Sequence, residues 1–443
     1  MPADVKINTM PSTAALDRKD RLWDNYKDMQ EKVGKKMFNF IPKTYNLPRQ
    51  EQMLKWKMKK SKSIWIVKPP SNMCGNGIRL VTEHKEVLDS RLISIKWKDP
   101  AHADILRPRQ NLCVQKYITN PLLVNGLKFD LRLYVLLTSI DPIQVYLYED
   151  GLVRFATKPF SMKKEDLNDK FAHLTNYSVN KENEEFIQNT NPAEFDGHKW
   201  SLKTFWRYME SQGHDCSKIR SKIKNIVIKS ILCGHSEILE RYKKNVHSDY
   251  NCYKLFGIDI FLDDKLKPWL LELNNFPSLC TPSLDRHVNE PMIAEMFNIV
   301  GFQLTNKMTQ KQKANISKKY NLEGPLEFDS RLYSKLKTEE EKVKEEQYAE
   351  NVMTEDYHHS MVQEDKLTGG DVRKLIRAEE ELAQTKGFLR LFPSNNSEKY
   401  LDYLSQPSYS DRLLGAWEQV NAGDRMRGRE ALRRLCLEGR QFH

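Results

Sequence analysis

Between residues 65 and 279 the chain falls repeatedly into short runs where apolar and polar residues alternate, the period of half-buried strands. Residues 65–70 (WIVKPP) predict a short strand that ends near Lys68. Residues 112–118 (LCVQKYI) predict another. In residues 128–138 (KFDLRLYVLLT), Lys128, Asp130 and Arg132 fall on one face and Phe129, Leu131, Leu133 and Val135 on the other. Residues 142–148 predict its partner, Asp150-Gly151 a turn, and LVRFAT, with Arg154, a third strand of an antiparallel meander. Residues 256–279 (FGIDIFLDDKLKPWLLELNNFPSL) predict a β-hairpin turning at Asp263, Asp264 and Lys265. The period changes to 3.6 in residues 19–33, in two amphipathic helices over residues 198–245, and in residues 291–303. Residues 335–350 and 371–386 are so highly charged that they predict solvent-exposed helices with little apolar face. Residues 85–110 read as a surface loop.

Composition narrows the class. The 443 residues have room for several domains and a substantial core. No apolar run is long enough to span a membrane, and the N-terminus lacks an apolar stretch of signal-peptide length. Seven scattered cysteines without a CxxC pair fit a reducing cytosol better than a disulfide framework. The net charge of +11 points to a polyanionic partner. Zinc-finger spacing and RNP-like aromatic motifs are both missing, so nothing specific supports nucleic acid. Arg425, Arg427, Arg429, Arg433, Arg434 and Arg440 cluster with Leu432, Leu435 and Leu437 in an amphipathic pattern that leans towards a binding helix, although such a charge run is also what a solvated face carries.

Several positions can carry chemistry. Glu272 and Asn274 leave one face of their strand, and Asp259 on the neighbouring strand can reach the same face. Two carboxylates and an amide oxygen suit Mg²⁺ carrying phosphates, and they equally suit the wet side of an ordinary hairpin. Lys68 followed by the Gly75-x-Gly77 turn can hold nucleotide phosphates, although such turns are common. Residues 173–181 (HLTNYSVNK) form a polar run of hydroxyls and amides, readable also as a capped loop. In this order the pieces make an ATP-grasp-like arrangement, with ATP between two sheets.

The words WIVKPP, KFDLR, DGLVRFA, HLTNYSVNK and FGIDIFLDDKLKPWLLELN resemble motifs of the tubulin tyrosine ligase-like family, particularly its polyglutamylases. The resemblance covers roughly residues 17–305. RLFP, YLDYLSQPSY and the WEQ run extend it towards the TTLL-four-type subgroup. It implies an α/β (α+β) ATP-grasp-like fold with antiparallel sheets, flanking helices and a C-terminal helical extension. The domains expected are a short N-terminal remnant (1–60), a central nucleotide-binding subdomain (61–120), a catalytic subdomain (121–305) and a basic helical extension (306–443) that binds microtubules. The implied activity is ATP-dependent addition of L-glutamate to glutamate side chains in the acidic tail of tubulin, through an acyl phosphate. A glycine ligase of the same family, and an inactive microtubule-binding protein, are the alternatives.

The resemblance also implies roles. Lys68, Gln115, Lys116, Tyr117, Ile118, Lys128, Asp130, Thr175 and Asn176 would bind ATP. Arg154, Tyr177, Ser178 and Lys199 would bind the incoming amino acid. Asp259, Glu272 and Asn274 would hold Mg²⁺. Arg132, Lys128 and Glu272 would act in catalysis, Arg132 near the phosphates or the reacting carboxylate. The implied partners are α/β-tubulin, microtubules, free L-glutamate and other acidic proteins, met by a monomer without nucleic acid or membrane. The implied location is the cytoplasm and cytoskeleton, including the cilium and basal body.

Overall fold

The computed structural model describes residues 6–71, 75–90, 111–246, 251–279, 284–301, 308–320, 337–350, 360–404 and 407–442. Most of the predicted loop at 85–110, and Cys74 and Lys307, lie outside them.

Two antiparallel sheets carry the fold. The smaller holds β1 (Thr44–Leu47), β2 (Trp65–Lys68), β3 (Arg79–Val81) and β4 (Leu112–Lys116), in the order β1-β4-β2-β3. Trp65, Val67, Leu112 and Val114 pack from it against Leu54 of the helix Glu51–Lys60. The larger sheet holds β5 (Leu123–Val124), β6 (Leu127–Ile140), β7 (Ile143–Phe155), β8 (Lys199–Ser201), β9 (Lys254–Leu262), β10 (Pro268–Asn274) and β11 (Phe388–Phe392). Its order is β10-β9-β6-β7-β11, with β5 beside β6 and β8 beside β7.

β6 is the central strand, and its alternation decides what each face does. Phe129, Leu131, Leu133, Val135 and Leu137 join a core with Leu22 and Tyr26 of the helix Lys19–Val33 and Ile219, Ile223 and Ile226 of the helix Cys216–Cys233. Each such side chain contributes about 1.5–3 kcal/mol on burial, which fixes the register firmly. The other face is divided. Tyr134 and Leu136 pack with Val288, Met292 and Met296 of the helix Leu284–Val300. Nearer the strand's start, the same face presents Lys128, Asp130 and Arg132 instead.

Several expectations change. Asp150-Gly151 is no turn, because β7 runs through it, with a bulge opposite Leu133 to Val135. Asp150 is buried and accepts the backbone N–H of Lys203 at 3.0 Å, so it serves a helix start. Gly151 is there for space, since a Cβ would sit 2.4 Å from the Arg132 carbonyl oxygen. Residues 198–245 give three helices, Leu202–Ser211, Cys216–Cys233 and His235–Asn245, preceded by β8, so Lys199 is on a strand. The predicted hairpin is present as β9 and β10, with β9 interior, between β6 and β10, and only β10 at the edge. The helix over 371–386 is not exposed. Gly369–Ala383 buries Val372, Leu375 and Ala378 against Leu413, Leu414 and Trp417. Its acids are paired: Glu379 accepts from Trp417 Nε1, and Glu381 from Thr138 and Tyr146.

The helix predicted over 291–303 starts earlier, at Leu284, and passes through Pro291. No helix among the described residues is long and apolar enough to cross a membrane.

Candidate active site

A cleft of about 730 Å³, counting its open mouth, separates the two sheets. Ile66 and Ile78 form an apolar wall on the small sheet's side, and Phe261 and Leu271 line the cleft from the large sheet. Polar groups concentrate between them.

Lys68 closes β2 and is buried. Its ammonium donates to Gln115 Oε1 at 2.9 Å, and Gln115 in turn donates to Thr44 Oγ1 at 3.0 Å. β2 and β4 are neighbours in the sheet, which is why residues 47 positions apart meet. Burial pushes the Lys68 ammonium down to about 8, despite the pull of Glu272. Lys128 donates to Tyr117 Oη at 3.0 Å and to the His173 carbonyl at 2.8 Å. Tyr117 Oη lies 3.0 Å from His173 Nδ1. Burial, and then the charge of Lys68, push Lys128 down to about 7.

Two rows of charge cross the large sheet. In the first, Glu272 on β10 faces Asp259 on β9, and Asp259 faces Arg132 on β6. In the second, Asp130 on β6 faces Arg154 on β7, and Arg154 faces Lys199 on β8. Arg154 donates Nε to Asp130 Oδ1 at 2.8 Å and reaches Asp259 Oδ2 at 2.8 Å, which links the rows. Burial works against the Asp259 carboxylate, yet Arg132 and Arg154 hold it well below the usual carboxylate range. Burial raises Asp130, against the opposing pull of Arg154. Lys199 is bound by both oxygens of Asp285 at 2.8 Å, and its ammonium lies 4.0 Å from the centre of the Tyr177 ring.

A bulge between Leu270 and Glu272 turns Glu272 to face Asp259. Asn274 Nδ2 lies 3.4 Å from Glu272 Oε1. Asp259, Glu272 and Asn274 adjoin one another, two carboxylates beside an amide whose nitrogen faces Glu272, and the carboxylates are the donor chemistry that Mg²⁺ takes. Asp259 Oδ1 accepts one guanidinium bond and keeps a further lone pair, so the residues fit such an ion. Glu272 also pairs with Lys19 at 3.0 Å.

All nine residues expected to bind ATP line the cleft, together with Asp259 and Glu272. Arg132 and Arg154 lie beside it on the sheet. Tyr177 and Ser178 belong to the helical turn Tyr177–Asn180, with Lys199 against Tyr177. Gly75 comes close to that region, where a Cβ would meet Val179 at 2.9 Å. Sequence reasoning missed the His173 side chain, Asp285 and Lys19, because each meets the site through tertiary contact alone. Asn180, read only as part of the polar run, holds the loop: it accepts the Thr157 N–H at 2.9 Å and donates to the Leu174 carbonyl at 2.8 Å.

Comparison with known proteins adds a family. The profile described as the tubulin-tyrosine ligase family matches residues 1–311. Tubulin monoglutamylase TTLL4 of Homo sapiens is 37% identical over 443 residues, covering 99% of this chain and 35% of the relative. Tubulin polyglutamylase ttll-4 of Caenorhabditis briggsae is 32% identical, covering 98% and 67%. Tubulin polyglutamylase TTLL5 of Mus musculus is 32% identical, covering 92% and 30%. The chain thus spans about a third of the length of the human relative.

Proposed function

Since the chain belongs to the tubulin-tyrosine ligase family, we propose that it is an ATP-dependent ligase that joins L-glutamate to glutamate side chains in the acidic tail of tubulin. The observation that carries this reading is the cleft itself. Two buried lysines, Lys68 and Lys128, approach from different sheets towards a face bearing Asp259 and Glu272. That suits a polyphosphate with its cation better than an apolar ligand. The names of its relatives favour glutamate over glycine as the amino acid.

In this reading ATP lies between the sheets, its base by Gln115, Lys116, Tyr117 and Ile118. Lys68 and Lys128 hold the phosphates, with Asp130, Thr175 and Asn176 around them. Asp259, Glu272 and Asn274 hold Mg²⁺. When bound, the ion neutralises charge on the phosphate oxygens. An oxygen of the acceptor carboxylate attacks the γ-phosphorus, the bond to the ADP oxygen breaks, and an acyl phosphate results. Arg132 is placed to offset charge on the transferring group. The amine of free glutamate attacks the acyl carbon, phosphate leaves with one acceptor oxygen, and the amine gives up a proton. Arg154 suits the glutamate carboxylate, because a guanidinium binds it through two bonds, and Tyr177, Ser178 and Lys199 complete that pocket. The catalytic part takes in residues 13–305 together with β11 and the chain just after it, and the remaining residues beyond 306 dock on microtubules. Such an enzyme works at the cytoskeleton.

The mechanism has a chemical test. With a glutamate-rich acceptor peptide labelled with ¹⁸O in its side-chain carboxylates, one labelled oxygen should appear in the released phosphate. Phosphate free of label, with ligation proceeding, overturns the acyl-phosphate route.

A further inference from the structure

The turn at residues 13–19 touches both walls of the cleft. The Lys19 backbone N–H donates to the Pro70 carbonyl at 3.1 Å, two residues beyond Lys68 on the small sheet's side. On the large sheet's side, Asn275 follows Asn274 and donates to Thr13 Oγ1 at 3.0 Å and Asp17 Oδ2 at 2.6 Å. The Lys19 ammonium reaches Glu272 at 3.0 Å. One short piece of chain therefore fastens the end of β2 to the end of β10.

The turn is itself firmly held. Ala15 and Leu16 are fully buried. A Cβ at Gly234 would lie 2.6 Å from Leu16 Cδ2, so the break between two helices leaves room for this turn. Asn25 Nδ2 donates to the Ala15 carbonyl at 3.0 Å. Asn275 is buried at 9% exposure, so its two amide bonds are made away from competing water.

We propose that this turn is a clasp on the end of β10, with Asn275 the positioning residue that holds Asn274 and Glu272 opposite Lys68. The inference rests on the nucleotide-and-metal reading above. Neither Asn275 nor Asp17 touches the reacting groups. They act through the strand end that carries the proposed ligands.

The test is calorimetric titration of the full chain with ADP, once with Mg²⁺ and once with EDTA. The variants are Asn275→Ala and, breaking the same bond from the other side, Asp17→Ala. Circular dichroism and melting establish that each is folded. Wild type should bind ADP more tightly with Mg²⁺. In both variants that metal-dependent gain should fall about tenfold, while affinity in EDTA stays within about twofold. A gain undiminished in a folded variant, or equal losses with and without Mg²⁺, overturns the clasp. If one variant does not fold, the other decides, and two unfolded variants assign the turn to stability and overturn the proposal. Wild type without any Mg²⁺-dependent gain would instead sink the metal reading, and the clasp with it.

Discussion

Arg132 faces Asp259 across β6 and β9 and holds it with two bonds, Nε to Oδ1 at 2.5 Å and a terminal nitrogen to Oδ2 at 3.0 Å. Both side chains are largely buried. Removing one partner of such a pair costs about 3–5 kcal/mol, because the other is left charged without water. Arg154 still reaches Asp259, so Arg132→Ala should lie near the lower end, about 3 kcal/mol, by urea unfolding. Arg132→Lys should recover only part, as an ammonium lacks the two-pronged geometry. A loss below about 1 kcal/mol for Arg132→Ala would contradict a structural role for the pair.

The two cleft lysines predict a pH dependence for nucleotide binding. Burial pushes Lys128 down to about 7 and Lys68 down to about 8. Phosphate oxygens favour the ammonium forms, so each value rises on binding and protons are taken up. ADP affinity should therefore be highest below pH 7 and fall as pH rises past 7 and then 8. Calorimetry at pH 7.5 in two buffers of different ionisation enthalpy should show net proton uptake. Zero uptake, or release, would contradict the placement of these lysines at the phosphates.

The C-terminal arginines divide into two groups. Arg425 and Arg429 bind Glu379, and Arg425 also binds Glu418. Arg427 stands exposed, and Arg433 is exposed with only a 3.8 Å pairing to Glu430 one turn away. Arg427→Glu with Arg433→Glu should weaken microtubule pelleting several-fold at low salt with melting unchanged. Arg425→Glu should instead lower stability. Wild-type binding should decline steeply as salt is added, since exposed charges are screened within about 8–10 Å. Pelleting that is indifferent to salt and to the double reversal would remove the docking role.

Residues beyond 385 also build the catalytic body. β11 completes the large sheet, and Phe392, Tyr400 and Leu401 share its main core. Glu295 accepts the N–H groups of Lys386, Gly387 and Phe388, which fixes the entry to that strand. Phe392→Ala should cost about 3–5 kcal/mol by denaturant unfolding. ADP affinity of the folded variant should stay within about twofold. A cost under 1 kcal/mol would show that this strand is a mere attachment.

Much of this was legible in local patterns. The alternation of Lys128, Asp130 and Arg132 against Phe129, Leu131 and Leu133 marks a strand with one charged and one apolar face, and both faces are found. The E-x-N spacing of Glu272 and Asn274 places them together. Other features were hidden because the deciding partner is remote. Asp150-Gly151 has turn composition, but its carboxylate serves a helix over fifty residues away and its glycine makes room for Arg132. The Gly369–Ala383 helix reads as solvated because charge composition does not reveal that Glu379 and Glu381 have buried partners. Asp17 and Asp285 carry no local signal, and the polar run at 173–181 does not show what the His173 side chain meets. Only the folded chain brings them to Asn275, Lys199 and Tyr117.

The most direct measurement of the central claim is incorporation of radiolabelled glutamate or glycine into purified tubulin, with ATP and Mg²⁺, using wild type beside Glu272→Gln. Wild type should incorporate glutamate and little glycine, and a folded Glu272→Gln should lose at least a hundredfold in rate, on the order of 3 kcal/mol in the barrier. Full activity in Glu272→Gln would contradict the metal site. Glycine in place of glutamate would replace the substrate, and no incorporation of either by folded wild type would contradict the ligase itself.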